Sequence, residues 1–176
     1  LGNRAILADP RFSDTQKNLN LKIKFRESFR PFAPSILVEN LNDFFNLKCE
    51  SPYMLLVDKV ISSKRKSNLV TNTKGLSEIN NIRSSIPAVT HVDYSSRIQT
   101  VDKFRNPIFY NLINEFKKIT GIPILVNTSF NVRGEPIVLS PVDAYNCFIN
   151  NGLDLLIIGN FVLDKKDKNI NNTSIG

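Results

Sequence analysis

Several things are scarce in these 176 residues. There are two cysteines, one histidine and one methionine. Cys49 and Cys147 stand far apart in sequence, which excludes a disulfide framework and a cysteine-rich zinc site. A lone His91 excludes a metal centre of the usual multi-histidine kind, and the expectation is that the chain holds no metal of its own. No apolar run reaches the roughly 18–20 residues that a membrane-spanning helix needs. Acids are also in the minority: 16 Asp and Glu against 23 Lys and Arg leave a net charge of +7. Such a surplus favours anionic partners, whether phosphates, nucleotides or nucleic acid.

What is present fits one domain with a substantial core, since 41% of residues are hydrophobic and a domain of this length buries about two-thirds of its unfolded surface. Ser13 or Asp14 is placed to cap a helix running to about Lys24, with Leu19 and Ile23 on one face. Pro31 and Pro34 are expected to stop regular structure before a short strand at 35–38. Asn40 is a candidate cap for a small helix holding Phe44 and Phe45, and 51–60 reads as a strand. The stretch 62–84 is a polar excursion with a turn at Gly75. The runs 88–93 and 97–102 alternate in polarity and predict a hairpin. The clearest helix starts at Asn106-Pro107, ends at Gly121, and carries Ile108, Leu112, Ile113, Phe116 and Ile119 as its apolar stripe. A strand at 122–127, a helix opened by Ser140, Pro141 and Asp143, and a last buried strand at 154–159 complete the reading. Ala144, Cys147 and Phe148 should face inward from that helix. The fold class is α/β (α+β), a twisted mixed sheet flanked by helices.

Three segments have the composition of a site. The first, 22–35, interleaves Lys24, Arg26 and Arg30 with aromatic residues. Lys offers a point charge and Arg a two-pronged donor, the combination that phosphoryl and carboxyl groups require. The same segment is also compatible with Phe29 and Phe32 in the core and the cations as surface residues. The second holds Thr90, His91 and Asp93, followed by Arg97 and Gln99. Here His91 is either an acid–base group, a neutral orienter or a structural residue. The third runs from an apolar strand into Asn127, Thr128, Ser129, Asn131, Arg133 and Gly134. Backbone N–H groups and hydroxyls at such a strand end can cradle phosphate, although neither the P-loop nor the dinucleotide glycine fingerprint is present. Together the segments point to a nucleotide or acyl-phosphate pocket.

The runs LGNRAILADPR (1–11), IKFRESFRPFAPS (23–35), SPYM (51–54), IPAVTHVDYSSRIQTV (86–101) and the stretch 106–148, with NTSFN inside it, resemble the C-terminal part of the nodulation and antibiotic-biosynthesis O-carbamoyltransferases. The resemblance covers roughly residues 1–163. It implies a YrdC-like domain over 13–164, preceded at 1–12 by the seam to an N-terminal Kae1-like catalytic domain that is absent here, and followed by a disordered tail at 165–176. It further implies that the domain binds ATP with Mg2+ and carbamoyl phosphate and forms carbamoyl-adenylate. Transfer to an acceptor hydroxyl would take place in the absent domain, which would also hold iron or another metal. By resemblance, Lys24 and Arg30 hold the carbamoyl and phosphate oxygens, Arg97 neutralises phosphate charge, and Ser129 donates from the NTSFN loop. Arg26, Thr90, His91, Gln99, Thr128 and Asn131 are nucleotide-binding candidates beside them. One departure stands out: Tyr94 follows His-Val-Asp where the family commonly has Gly, which puts the fit at that edge of the pocket in question. The alternative is a YrdC-like module that binds RNA without activation chemistry. A cytoplasmic location with no membrane association is expected in either case.

Overall fold

Two of the helices owe their limits to local chemistry. In α2 (Pro107–Thr120) the Asn106 side chain accepts from Phe109 N, Pro107 occupies the first turn, and Gly121 ends the helix at φ 75°, a left-handed conformation that costs glycine nothing. In α3 (Pro141–Asn150) Ser140 and Asp143 satisfy each other's backbone N–H groups in a capping box. The first helix, α1 (Ser13–Lys22), differs from expectation. Its cap is Phe12, without a side-chain hydrogen bond, so neither Ser13 nor Asp14 caps it. The computed structural model describes residues 3–66 and 82–167. Most of the predicted polar excursion at 62–84, including Gly75, and most of the predicted tail lie outside them. Residues 165–167 are anchored, because Lys165 N donates to Asp154 O and Lys165 Nζ to Phe148 O.

A five-stranded mixed sheet organises the chain in the order β1 (Ala5–Ala8), β5 (Ile124–Ser129), β2 (Ala33–Leu37), β4 (Ser95–Val101), β3 (Leu56–Lys59). Only β2 and β4 are parallel; the other neighbours are antiparallel. The mixed sheet with flanking helices is the expected fold class. All five residues of β2 are buried, as the centre of a sheet covered on both faces demands. Residues 5–8, expected to be part of a seam, form an edge strand paired in register with β5.

Several expectations fail for identifiable reasons. Pro34 lies inside β2 instead of ending structure before it. It is tolerated because β2 pairs with β4 only from Ser35 onward, so no ladder bond is lost on that side. The strand at 51–60 shrinks to β3 (Leu56–Lys59), following a turn in which Met54 has φ 59°. Asn40 lies within a 3-10 helix (Val38–Asp43) that ends before the two phenylalanines, and it does not cap it. The predicted 88–102 hairpin does not exist. Pro87–Val89 is a 3-10 turn, and Tyr94 at φ 69° closes a loop in which His91 N donates to Ser95 O. The strand at 154–159 is only partly buried and is not the last. It is β6 (Leu155–Ile158), paired with β7 (Phe161–Asp164) in a separate hairpin.

The two faces of the sheet bury different partners. On one, Ile36, Ile98, Ile124 and Val126 meet Leu19, Ile23, Ala144, Cys147 and Phe148 from α1 and α3 in the main core. On the other, Leu37, Val101 and Leu125 pack against Phe109 and Ile113 of α2. The buried stripe of α2 is thus rotated from the predicted one: Ile108 and Ile119 are each 84% exposed, whereas Ile113 is fully buried. A sequence with apolar residues at both 108–112 and 109–113 spacings does not reveal which set faces in. Among the described residues no helix is long and apolar enough to cross a membrane.

Packing gives a direct test of this orientation. Ile113→Ala should lower unfolding free energy by about 2–5 kcal/mol, the range for a buried large-to-small change. Ile108→Ala should stay within about 0.5 kcal/mol, as at an exposed site. Urea denaturation of the two variants checks both values, and equal losses would reverse the assignment.

Candidate functional site

Because side chains alternate along a strand, Ala33, Ser35 and Leu37 share a face with Arg97, Gln99 and Val101, and with Leu125, Asn127 and Ser129. The character of that face changes along the strands. At one end α2 covers Leu37, Val101 and Leu125. In the middle lies a buried polar layer: Asn127 Nδ2 donates to Ser35 Oγ (3.0 Å) and Gln99 Oε1 (2.8 Å), and Ser35 Oγ donates to Gln99 Oε1 (2.5 Å). At the far end the face opens into a cleft of about 770 Å³.

Four arginines line that cleft: Arg4 ahead of β1, Arg26 and Arg30 from the α1–β2 loop, and Arg97 of β4. His91, Asn127, Thr128 and Ser129 complete the polar wall, and Phe32, Met54 and Ile137 the apolar one. No carboxylate is among its lining residues within the described chain. A second cavity of about 340 Å³ shares Arg26, Arg30, Thr128 and Ser129 with the first and adds Lys24, Asn131, Arg133 and one carboxylate, Glu27. A side recess of about 190 Å³ shares Phe32, His91 and Arg97 with the cleft.

Three of the cations are held by hydrogen bonds to the protein. Arg26 Nε donates to Asn20 Oδ1 at 2.6 Å and its guanidinium lies 4.7 Å from the Phe32 ring centroid. Burial holds Arg26 below its ordinary pKa, with the Arg30 charge adding to the effect. Arg133 donates to Phe25 O at 3.0 Å, and Arg4 to Val138 O at 3.0 Å. Phe25, between Lys24 and Arg26, has φ 45°. A left-handed conformation in a bulky residue is strain maintained by its surroundings, and it occurs here at the wall of the site.

Lys24 is 8% exposed. Its ammonium donates toward Ser129 O (2.6 Å), Asn131 Oδ1 (2.8 Å), Asn131 O (2.9 Å) and Ser129 Oγ (3.2 Å). An ammonium has three protons, so all of them have protein acceptors. Burial, reinforced by the charge of Arg26, lowers the Lys24 pKa from 10.5 to about 8. Ser129 Oγ in turn donates to Asn131 Oδ1 at 2.6 Å.

Of the residues singled out in the sequence, Arg26, Arg30, His91, Arg97, Thr128 and Ser129 meet in the main cleft, and Lys24 and Asn131 in the adjoining cavity. Two do not reach either. Thr90 is buried, where its hydroxyl donates to Ile86 O and pairs with Ser84 Oγ. Gln99 sits in the polar layer beneath the cleft floor and also donates to Pro52 O. Tyr94, expected at the pocket edge, lines neither cavity; Arg65 packs 4.6 Å from its ring centroid. The cleft also contains residues that the motifs did not flag. Arg4 was hidden by reading 1–12 as a seam, and Met54 by reading its turn as strand. Arg133, singled out with the third segment, lines the second cavity and not the main cleft.

A family model described as the carbamoyltransferase C-terminus matches residues 1–165. Over 94% of its length the chain is 51% identical to an uncharacterized protein of Synechocystis sp., covering 27% of that protein. It is 44% identical over 94% of its length to nodulation protein NolNO of Sinorhizobium fredii, covering 22% of it. A 3'-hydroxymethylcephem-O-carbamoyltransferase of Amycolatopsis lactamdurans is 35% identical over 90% of this chain, which covers 26% of that enzyme. The chain therefore spans about a quarter of the length of these relatives.

The Lys24 environment gives a pH-dependent prediction. With a native pKa of about 8 against the ordinary 10.5, the unfolded chain binds the extra proton between those values, so this group's contribution to stability rises with pH there. Below about pH 8 both states are protonated and the contribution is flat. The stability of the wild type relative to Lys24→Met should accordingly be constant near pH 7 and grow from pH 8 to 10.5. Urea midpoints measured across that range check it; a flat difference would show that the amine titrates normally.

Proposed function

The chain belongs to the carbamoyltransferase C-terminus family, matched over residues 1–165, and from that membership we propose that it binds ATP and carbamoyl phosphate in the arginine-lined cleft and forms carbamoyl-adenylate for transfer to an acceptor hydroxyl. The observation that carries the reading is the convergence of Arg4, Arg26, Arg30 and Arg97 on one cleft with hydroxyl donors and an apolar wall. Such a lining suits a molecule with a planar apolar end and a highly anionic one. The volume of about 770 Å³ lies within the range of ligand pockets, roughly 300–1,000 Å³.

The chemistry needs no protein nucleophile. Carbamate, released from carbamoyl phosphate with inorganic phosphate, attacks the α-phosphorus of ATP through a carboxylate oxygen. The bond from the α-phosphorus to the bridging oxygen breaks and pyrophosphate leaves. What accelerates such a step is alignment and neutralisation of the equatorial charge. Arg30, from the loop before β2, and Arg97, from β4, are assigned to the phosphoryl oxygens, with Arg26 beside them. Thr128 and Ser129 present hydroxyls, and Phe32, Met54 and Ile137 offer contact to the base. Lys24 acts from beneath, through its charge and by holding Ser129 and Asn131. The polyphosphate extends toward the smaller cavity, where Arg133 lies.

Mg2+ is assigned to the nucleotide phosphates. The donor set of the cleft is cationic, and among the described residues no group of three or more His, Cys, Asp or Glu could hold a metal ion. Acceptor choice and the final transfer, with any metal they require, are assigned to a Kae1-like part of a longer protein, in keeping with the quarter share of the relatives that this chain spans. With ATP as substrate, the working location is the cytoplasm.

Carbamoyl phosphate-dependent exchange of labelled pyrophosphate into ATP tests the reading. Arg30→Ala and Arg97→Ala should each reduce exchange by about 10²–10³-fold, the loss typical of one removed charge-stabilising donor. Absence of exchange in the folded wild type, with salt-dependent RNA binding that survives both substitutions, would replace this reading with a nucleic-acid-binding one.

A further inference from the structure

Release of carbamate from carbamoyl phosphate requires water to lose a proton, and the arginines of the cleft cannot accept one. A different group on its wall can. His91 Nδ1 lies 3.1 Å from Asp93 Oδ1. That same carboxylate oxygen accepts from Ser95 N at 3.0 Å and from Ser95 Oγ at 2.6 Å. These bonds, led by the Ser95 hydroxyl, bring the Asp93 pKa down to about 2, so the group is a carboxylate at neutral pH and can only accept. In the neutral ring the nitrogen that faces this carboxylate, Nδ1, is the donor, which makes Nε2 the acceptor.

The loop around the pair is tightly closed. His91 N donates to Ser95 O at 2.9 Å, and Tyr94 N to His91 O at 3.0 Å. Tyr94 adopts φ 69° within it, and its ring is packed against Arg65. Strain of this kind persists where surrounding contacts fix the backbone. His91 lines both the main cleft and the recess of about 190 Å³, and in each it is joined by Arg97. The recess is sized for a small anion and too small for a nucleotide. The charged groups lining the same space are Arg4, Arg26 and Arg30, together with Arg97.

Resting on the activation reading above, we propose that Asp93 is a positioning residue that fixes the tautomer of His91, and that His91 Nε2 is the base that activates water against carbamoyl phosphate. The water oxygen bonds to the carbamoyl carbon as its proton passes to Nε2. The bond from that carbon to the phosphate oxygen then breaks, the electron pair leaves with phosphate, and the water's second proton passes from the carbamic acid to that phosphate. Carbamate and inorganic phosphate result, and the imidazolium returns its proton to solvent. Arg97 is positioned to share the charge of the departing phosphate.

Two measurements on one set of variants test this. Phosphate release from carbamoyl phosphate reports the hydrolytic step. Pyrophosphate exchange driven by ammonium bicarbonate, in which carbamate forms spontaneously, bypasses that step and reports an intact, folded nucleotide site. For His91→Gln and Asp93→Asn, kcat of phosphate release should fall on the order of 100-fold or more, the usual contribution of a general base. Their ratio of release to bicarbonate-driven exchange should fall at least tenfold. In the wild type, kcat should rise with pH to a plateau, and Asp93→Asn should lower that plateau. A change confined to KM, or a parallel loss of both reactions, would overturn the inference and make His91 a binding residue. If the wild type shows no exchange from either source, the activation reading itself fails, and this inference falls with it.

Discussion

One buried ammonium ties the site together. Lys24 Nζ reaches across more than a hundred residues of sequence to Ser129 and Asn131, and among the described residues no carboxylate lies within ion-pair distance of it. A lone charge is costly to bury unless hydrogen bonds replace its water, and two backbone carbonyls, an amide oxygen and a hydroxyl do so here. The cost is visible in the lowered pKa. What it maintains is the spacing between the loop carrying Arg26 and Arg30 and the end of β5 carrying Thr128 and Ser129, which together form the wall common to both cavities.

Beneath that wall the sheet changes chemistry in three steps over a few residues. Apolar side chains under α2 give way to the Ser35–Gln99–Asn127 layer, and that layer to open cationic surface. The middle step is structural. An amide network whose members satisfy one another can be buried, and it separates a dry core from a wet cleft without leaving a polar atom unpaired. Gln99, a binding candidate by motif, serves that boundary.

Much of this was legible in the sequence, and the limits are physical. Helix ends marked by Asn106-Pro107, Gly121 and the Ser140–Asp143 box were readable because their signals are local and chemically specific. The NTSFN and FRPFAPS blocks were readable as a site because cations and hydroxyls cluster there. What failed depended on tertiary context. Pro34 is permitted in a strand only because of where β4 begins to pair. The alternation at 88–93 mimics a strand but is bent by Pro87 and by a non-glycine residue at positive φ. Arg4 joins the site only because β1 pairs with β5, a contact no local pattern announces. The rotation of α2 was ambiguous because apolar residues lie on both of its sides.

The register of β1 with β5 also bears on how the molecule comes into being. Ala5 is opposite Ser129, and Ala33 opposite Asn127, so the middle of the sheet stays open until the last third of the chain has been made. Closing such distant pairs carries a loop entropy that local contacts cannot offset in advance, and topologies of this kind fold slowly. On the ribosome, β1 waits unpaired while about 115 further residues emerge, and β2 lacks its β5 partner for about 86. The cleft takes Arg4, Arg26 and Arg30 from the start of the chain and Asn127, Thr128 and Ser129 from β5, so it is among the last features to exist. A product truncated before β5 would lack both the strand that joins β1 to β2 and the Thr128 and Ser129 wall of the cleft.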